Sequence, residues 1–182
     1  MRLYTGKGDQ GKTDLLGERV AKDDPRVNAL GSLDETSSAL GLARALAVTE
    51  RGKALLVEMQ RDLYRVMAEL AFTDELRPAA FVMGDDRVAW LEEATDEVGA
   101  TVELPPAFVL PGESIPGAAL DVARAVARRA ERDVVVLAQA EVVTNPQILR
   151  YLNRLSSLLF ILARAEDQAA GAAPVLAKAS PS

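Results

Sequence analysis

The sequence predicts an all-α protein, a bundle of about five helices that follows an irregular N-terminal segment. Three observations support this prediction. Apolar residues recur every three or four positions over most of the chain, helix-favouring Ala, Leu, Glu and Arg are abundant, and aromatic residues make up only 4%. The length of 182 residues suits one domain with a self-sufficient core.

Local signals place the first three helices. Residues 1–24 are expected to be irregular, because glycine interrupts them four times and charged residues are frequent. The first helix is predicted to begin at Asp24-Pro25, since proline suits the first turn of a helix. The second helix is predicted over 50–73 and the third over 85–98, where apolar residues recur at helical spacing.

The second half of the chain starts with a proline-rich segment. Residues 100–117 contain four prolines, which predict an ordered loop or a short extended piece. The fourth helix is predicted over 118–139, and the fifth from Asn145-Pro146 to about residue 167. We therefore expect a single domain over 1–182, divided into an N-terminal loop (1–24), a helical bundle (25–168) and a flexible tail (169–182).

The composition excludes several classes of chemistry. Without cysteine or histidine the chain has no Cys nucleophile, no Ser-His-Asp triad, no zinc site of the usual type and no iron–sulfur cluster. A net charge of −6 argues against a general nucleic-acid binder. No apolar run approaches the ~20 residues of a membrane span, and the polar N-terminus is unlike a secretory signal. We therefore expect a cytoplasmic protein with no membrane partner.

A phosphate-loop pattern lies near the N-terminus. Residues 6–13 match G-x-x-x-x-G-K-[ST], but no buried strand precedes them and Gly17 interrupts any helix after them. The sequence thus argues against a P-loop fold. Phosphate binding does not depend on that fold, because small residues let backbone N–H groups converge on phosphate oxygens and nearby lysines add charge. From the residues alone, phosphate binding and a solvated flexible segment are equally supported.

Arginines form a stripe on the predicted fourth helix. Arg124, Arg128 and Arg132 are spaced at i, i+4 and i+8, so their side chains share one face. Such a stripe is either a solvated face or a surface for phosphate or carboxylate groups, to which arginine binds in a bidentate manner. On the fifth helix, Asn153 is suited to bind a sugar or a base, or to pair with backbone.

Two further positions have alternative interpretations. Asp34 and Glu35 are adjacent on a helix and point about 100° apart, so they do not share one site. One of them is suited to a buried pair with an arginine that fixes helix register or a subunit contact. Phe108, between prolines, reads from the residues alone as a core aromatic.

Six segments together resemble the ATP:corrinoid adenosyltransferases of the propanediol-utilisation (PduO) type. The resemblance extends from Tyr4 to about Arg164, and its segments occur in order with compatible spacing. They are residues 4–11, 19–26, 31–35, 108–112, 124–132 and 152–156. The resemblance implies a five-helix bundle in a ferritin-like up-down arrangement that assembles as a homotrimer, with active sites between neighbouring subunits.

The resemblance also implies roles for individual residues. Asp34 and Arg124 fall on a pair that joins subunits beside the active site, and Arg128 joins them as a catalytic candidate. Phe108 matches an aromatic residue that approaches the lower face of the corrin ring of cobalamin. The implied ATP-binding residues are Thr5, Gly6, Lys7, Gly8, Lys12, Thr13, Lys22, Arg128, Arg129, Ala130, Glu131, Arg132 and Asn153.

The implied reaction transfers the 5′-deoxyadenosyl group of ATP to Co(I) of a corrinoid and releases triphosphate. Co(I) is itself a strong nucleophile, so a chain without His or Cys suffices for this chemistry. Mg²⁺ is expected to assist the triphosphate, and a reductase and an adenosylcobalamin-dependent acceptor enzyme are expected partners. The sequence departs from the family pattern at Ser157, where Asp is usual, at the lone Gly17, and at Gly6-Lys7.

Two alternatives stand beside this reading. The first is a P-loop-like NTPase or phosphotransferase, which rests on residues 6–13. The second is a non-catalytic helical oligomer that binds a corrinoid and is regulated by nucleotide.

Overall fold

Five long helices make up most of the computed structural model, which describes residues 4–178. A two-stranded antiparallel hairpin precedes them, with Thr13 opposite Val20. The elements are β1 (Lys12–Asp14), β2 (Arg19–Ala21), α1 (Pro25–Leu46), α2 (Glu50–Ala71), a 3₁₀ turn (Ala79–Phe81), α3 (Asp85–Gly99), α4 (Ile115–Gln139) and α5 (Pro146–Ala169). The prediction of an all-α five-helix bundle is confirmed.

Side-chain caps explain where four of the helices begin. The side chains of Asp24, Thr49, Ser114 and Asn145 each accept a hydrogen bond from a backbone N–H of the first turn that follows. Ser114 also explains why the prediction for α4 was three residues late. The cap starts the helix at Ile115, and Pro116 is tolerated because the first turn needs no N–H partner.

The expectation of an irregular N-terminal segment was incomplete, because it missed the hairpin. The hairpin is attached to the end of α2. Leu16 donates its N–H to the carbonyl of Ala71 at 3.0 Å and accepts from the N–H of Thr73 at 3.1 Å. Because of these bonds, Thr73 lies outside α2, although the sequence predicted that the second helix covers 50–73. An ion pair of 2.6 Å between Glu18 and Arg26 fixes the hairpin to the start of α1.

The helices pack in a continuous sequence of neighbours. α1 lies against α2 and α4, and α5 lies against α4 and α3. The core between them is aliphatic and includes Leu33, Leu40, Met59, Leu63 and Leu155, all fully buried. Burial of this apolar stripe on each helix stabilises the bundle.

Ser32 of α1 donates to Asp133 of α4 at 2.5 Å, and Glu35 is paired with Arg129. The residue numbers fall on α4 as they rise on α1, so the two helices are antiparallel. The N-terminal hairpin therefore lies near the C-terminal end of α4.

One buried ionic cluster connects α2, α3 and α5. Asp62 is 1% exposed and accepts a bidentate pair of hydrogen bonds from Arg87, at 2.9 Å from Nε and 2.7 Å from Nη2. Fully buried Tyr151 donates its hydroxyl to the same carboxylate at 3.1 Å. Burial raises the pKa of Tyr151 well above its usual value, and the charge of Asp62 adds to this effect. The tyrosine therefore remains a donor at neutral pH.

The segment after α5 packs against the loop between α3 and α4. Leu110 donates its N–H to Val175 at 2.8 Å, and Ala177 donates to the carbonyl of Phe108 at 2.7 Å. This part of the predicted tail is thus hydrogen-bonded to the body of the protein. Within residues 4–178, no helix is long and apolar enough to cross a membrane.

Candidate functional site

The N-terminal loop folds tightly on itself. Gly6 and Gly11 have φ values of 69° and 73°, which favour glycine, and turn hydrogen bonds run from Asp9 to Gly6 and from Gly11 to Gly8. Lys22 lies over the loop, because a Cβ added to Gly8 would be 3.1 Å from its Nζ. Glycine at position 8 thus lets the ammonium group approach the backbone.

The loop lysines carry positive charge that is not neutralised within the chain. Among the described residues, Lys7, Lys12 and Lys22 have no carboxylate within ion-pair distance, whereas the neighbouring Arg19 is paired with Asp14 at 2.6 Å. β1 and β2 place Lys12 opposite Ala21, next to Lys22. A cluster of free ammonium groups beside a glycine-rich backbone is suited to an anion with several phosphates.

The same geometry supports the argument against a P-loop fold. The Lys-Thr of the pattern lies in strand β1, which is three residues long and pairs antiparallel with β2. A P-loop requires a helix to start at this point, with its N-terminus directed at the phosphates. The prediction that the sequence matches the pattern without the fold is confirmed.

The arginines of α4 differ in their contacts. Arg129 is paired with Glu35 of α1, and Arg132 donates to the carbonyl of Arg128 at 3.0 Å. The guanidinium of Arg128 is exposed and has no hydrogen bond or ion pair within residues 4–178. Arg128 is therefore the member of the stripe most available to a ligand.

Two residues that the resemblance assigns to nucleotide binding have contacts within the chain that differ from this role. Asn153 donates to Glu131 at 3.0 Å and accepts from Arg154 at 2.8 Å, so it belongs to a polar network between α4 and α5. Ala130 is fully buried in the core, which leaves its side chain no access to a nucleotide. Asn153 and Glu131 are at the surface and remain accessible in part.

A cleft of ≈ 660 Å³ lies between α3, α4 and α5. Arg124, Arg128 and Phe160 line it, together with Ser156 and Ser157. Ser157, one of the departures from the family pattern, thus faces the same space as the two arginines. Polar cations beside an aromatic ring make this cleft suited to a large ligand that is partly anionic and partly apolar.

One chain does not bring the cleft and the loop lysines together. Arg124 lies nine residues before Asp133 on α4, about 14 Å along the helix axis at 1.5 Å per residue. The loop lies beyond Asp133, near the C-terminal end of α4, whereas the two cleft arginines lie at the middle of this helix. The lining of the cleft includes none of the residues described in the N-terminal segment.

Asp34 and Arg124 are also apart within the chain. The contacts of Ser32 and Glu35 place Asp34 level with residues 130–131 of α4, about 10 Å along the axis from Arg124. Arg124 instead donates from Nε to Asp121 at 3.3 Å. Asp34 is exposed and has no ion pair in the part of the chain that the structure describes.

Phe108 is 89% exposed, so its interpretation as a core aromatic is wrong. Only its backbone is held, through the hydrogen bond that its carbonyl accepts from Ala177. An exposed aromatic ring on a proline-flanked loop is available to an apolar ligand surface.

No group of three or more acidic side chains in residues 4–178 is arranged to hold a metal ion.

Comparisons with known proteins identify the family of this chain. The family model described as "Cobalamin adenosyltransferase" matches residues 3–166. The chain belongs to the cobalamin adenosyltransferase family.

Relatives in this family differ in length. The chain is 42% identical over 182 residues to the corrinoid adenosyltransferase PduO of Salmonella typhimurium, covering 99% of this chain and 54% of that protein. It thus spans about half the length of this PduO relative. It is 37% identical to the corrinoid adenosyltransferase of Bacillus subtilis, over 94% of this chain and 89% of the relative.

A solved structure agrees with the cobalamin adenosyltransferase fold. It is a Phe→His variant of a PduO-type ATP:corrinoid adenosyltransferase from Lactobacillus reuteri, complexed with cobalamin and ATP. It has 34% sequence identity and a TM-score of 0.86, and the match covers 96% of each chain. The expectation of this family from the sequence segments is confirmed.

Two residues next to the cleft, Asp121 and Arg164, were not predicted from the sequence. Both are buried and paired with each other at 2.6 Å. One signal was available, because a single arginine in the apolar run of α5 requires a buried partner. The identity of the partner depends on how α4 and α5 pack.

Proposed function

We propose that this chain transfers the 5′-deoxyadenosyl group of ATP to the cobalt of a reduced corrinoid. Co(I) attacks C5′ of ATP, the C5′–O bond breaks, and its electron pair leaves with triphosphate. The cobalt–carbon bond of adenosylcobalamin forms in the same step. The observation that carries the proposal is that the same chain has both a loop of lysines without carboxylate partners among the described residues and a cleft lined by arginines and an aromatic ring.

The N-terminal loop is assigned to the triphosphate. Lys7, Lys12 and Lys22 offer three ammonium groups with no carboxylate within ion-pair distance among the described residues, and Lys22 lies over the loop backbone at Gly8. These donors stabilise the charge that develops on the leaving group. Thr5, Gly8 and Thr13 belong to the same loop and are proposed as further contacts.

Arg128 is assigned to the same charge from the helical side. Its guanidinium is exposed and has no partner within the described chain, so it is free to make a bidentate contact. Arg129, Glu131, Arg132 and Asn153 frame this surface.

The site is proposed to be complete only in a homotrimer. One chain holds the lysine loop near the C-terminal end of α4 and the cleft beside the middle of this helix, and it leaves Asp34 and Arg124 unpaired with each other. Pairing of Arg124 with Asp34 of the partner subunit would bring the loop of one copy to the cleft of the next. A head-to-tail contact of this kind closes into a ring of three.

Phe108 is assigned to the lower face of the corrin ring. An apolar ring at this position excludes water and the cofactor's own base from the cobalt. Co(II) then loses its axial ligand and is easier to reduce to Co(I). The 89% exposure of Phe108 leaves the ring free for this contact.

Mg²⁺ is proposed to arrive with ATP. The described residues offer no acidic cluster for a resident ion, and Mg²⁺ commonly binds substrate phosphates and water with few protein ligands. A reductase and an acceptor enzyme remain predicted partners, and the cytoplasmic location remains a prediction.

The experiment mixes the protein with MgATP and chemically reduced cobalamin. We expect a light-sensitive cobalt–carbon bond and one triphosphate released per corrinoid. Release of phosphate or diphosphate without the bond would favour the NTPase alternative. Binding of both ligands without reaction would favour the nucleotide-regulated corrinoid binder.

A further inference from the structure

A buried guanidinium lies directly behind the wall of the cleft. Arg164 of α5 is 5% exposed, and its Nη2 is 2.6 Å from Oδ2 of Asp121 and 2.9 Å from Oδ2 of Asp167. Its guanidinium carbon is 5.8 Å from the ring centre of Phe160, within the range of a cation–π interaction. Since Phe160 lines the cleft, Arg164 supports this wall from the interior.

The two carboxylate oxygens of Asp121 accept hydrogen bonds from two different arginines. Oδ2 accepts from Arg164, and Oδ1 accepts from Nε of Arg124 at 3.3 Å. Nε is the donor nearest the aliphatic stem, so this bond sets the direction of the guanidinium. Both terminal nitrogens of Arg124 are left without a hydrogen bond to any residue within 4–178.

The cluster also reaches the loop that carries Phe108. Asp167 accepts a hydrogen bond from the hydroxyl of Ser114 at 2.6 Å, and Ser114 caps α4 where the loop ends. One connected set of polar contacts therefore fixes the end of this loop, the wall of the cleft and Arg124.

Stability alone does not account for this arrangement. Well-packed apolar residues in place of a buried ion pair are often neutral or stabilising. Here the cost is larger, because Nε of Arg164 is buried with no hydrogen-bond partner in the described chain. Apolar residues at these positions would avoid that cost, but they would not hold Arg124.

We infer that Asp121 is a positioning residue for Arg124 and that Arg164 fixes the orientation of Asp121. This inference rests on the proposed function, in which Arg124 acts beside the bound substrates. A pre-oriented Arg124 presents its two free nitrogens without first losing side-chain freedom. Arg124 thus contributes to the site only when the carboxylate of Asp121 is in place to accept from its Nε.

A double-mutant cycle of Asp121→Asn and Arg124→Ala tests the inference. Asp121→Asn alone is expected to lower kcat of adenosyl transfer roughly tenfold, the effect of losing a hydrogen bond to a charged group. In the Arg124→Ala background it is expected to have no further effect. An equal loss in both backgrounds would overturn the inference, because Asp121 would then act independently of Arg124.

The matched control is Asp62→Asn. Asp62 is also a buried carboxylate on a helix, paired with an arginine, but it lies between α2, α3 and α5 and does not line the cleft. We expect it to lower the melting temperature and to leave kcat of the folded enzyme unchanged in both backgrounds. If Asp121→Asn fails to fold, Arg164→Lys takes its place in the cycle, with the same non-additivity expected.

A second readout does not depend on activity. The Nε–H of Arg124 gives an NMR signal that is identified by its loss in Arg124→Ala. We expect its hydrogen exchange to be slow in the wild type and clearly faster in Asp121→Asn. An unchanged exchange rate would contradict the inference even if the wild type proved to be no adenosyltransferase, whereas an inactive wild type alone would contradict only the proposed function.

Discussion

The helical bundle differs from the two loops of the candidate site, the N-terminal glycine-rich loop and the loop that carries Phe108. Buried carboxylates in the bundle have partners within the chain, whereas charged and apolar groups of the loops are exposed. In the bundle, Glu166 is fully buried and accepts hydrogen bonds from the N–H of Val48 at 2.6 Å and of Thr49 at 3.3 Å. In the loops, the lysines lack carboxylate partners among the described residues, and Phe108 exposes 89% of its surface. In the proposed function, the partners of these loop groups are the substrates and a second copy of the chain.

This difference predicts two separable kinds of variant. A change in the bundle removes contacts that the folded chain already makes, so it should lower stability and leave the chemistry of folded molecules intact. A change in the exposed groups removes nothing from the folded chain, so it should lower activity at constant stability. Asp121 and Arg164 are the exception, since they belong to the bundle and also contact the cleft wall.

Arg128→Ala should give the largest effect. We expect kcat/KM for ATP to fall roughly a hundredfold, because a donor to the leaving triphosphate is lost. Arg128→Lys should lose about tenfold, since it keeps the charge without the planar fork. Steady-state kinetics measures both, and the melting temperature should not change.

The matched control for Arg128 is Arg150→Ala. Arg150 is an exposed arginine of α5 whose only described contact is with Gln147 at 3.0 Å. We expect wild-type kinetics. A similar loss of kcat/KM in both variants would show that the arginines act only through their general positive charge, and not through a specific contact with ATP.

Phe108→Ala should separate the reduction step from the transfer step. We expect turnover from Co(II) to fall at least about tenfold more than turnover from pre-reduced Co(I), since only the former needs the axial ligand removed. The spectroscopic signal of four-coordinate Co(II) should weaken in parallel. Leu110→Ala, an exposed apolar position in the same loop, is the control and should leave the ratio unchanged.

If the Phe108→Ala variant keeps the signal of four-coordinate Co(II) and loses only thermal stability, Phe108 stabilises the fold as the buried residues of the bundle do. The proposed difference between the bundle and the loops would then be wrong.

Truncation after residue 173 should give a smaller effect of the same kind. It removes the hydrogen bonds that Val175 and Ala177 make to the Phe108 loop. We expect turnover from Co(II) to fall about threefold, as for one or two neutral hydrogen bonds that orient the ring. The control chain ends at Lys178, and equal activity of the two truncated chains would show that these bonds do not position Phe108.

Tyr151→Phe should give the smallest effect and should affect stability alone. The loss of its hydrogen bond to Asp62 is expected to cost about 1 kcal/mol of unfolding free energy at neutral pH. The raised pKa of Tyr151 makes the wild type more stable below pH 10.0, the ordinary value, and this advantage is lost as pH rises above it.

Urea denaturation at pH 7 and at alkaline pH checks the Tyr151 prediction, with Tyr151→Phe lacking the alkaline decline. Altered kinetics of this variant at neutral pH would contradict the separation between bundle and loops.

Local signals were enough for most of the fold. The caps at Asp24 and Asn145 and the apolar spacing set the helix positions, because helix ends depend on neighbouring residues. The start of α4 was missed because Pro116 was counted with the loop, although proline suits a first turn. The hairpin was missed because its strands are three residues long and lie among glycines.

The site was predictable only where its residues are close in sequence. The loop around Gly8 and the stripe from Arg124 to Arg132 each lie within one segment, so both could be proposed from the sequence as candidate parts of the site. Asp121 and Arg164 are 43 residues apart and meet only when α4 packs on α5. Their pairing is a result of tertiary packing, which sequence spacing does not encode.

The most direct test of the central claim, that the site is shared between copies, mixes two defective chains. Asp34→Ala and Arg124→Ala are each expected to be poorly active alone. If Arg124 meets Asp34 of the partner subunit, random mixing in equal amounts leaves about a quarter of the interfaces with both native side chains. Refolded mixtures should then regain about a quarter of wild-type activity. Activity no higher than the mean of the two parents would contradict the claim, because Arg124 and Asp34 would then not meet across subunits.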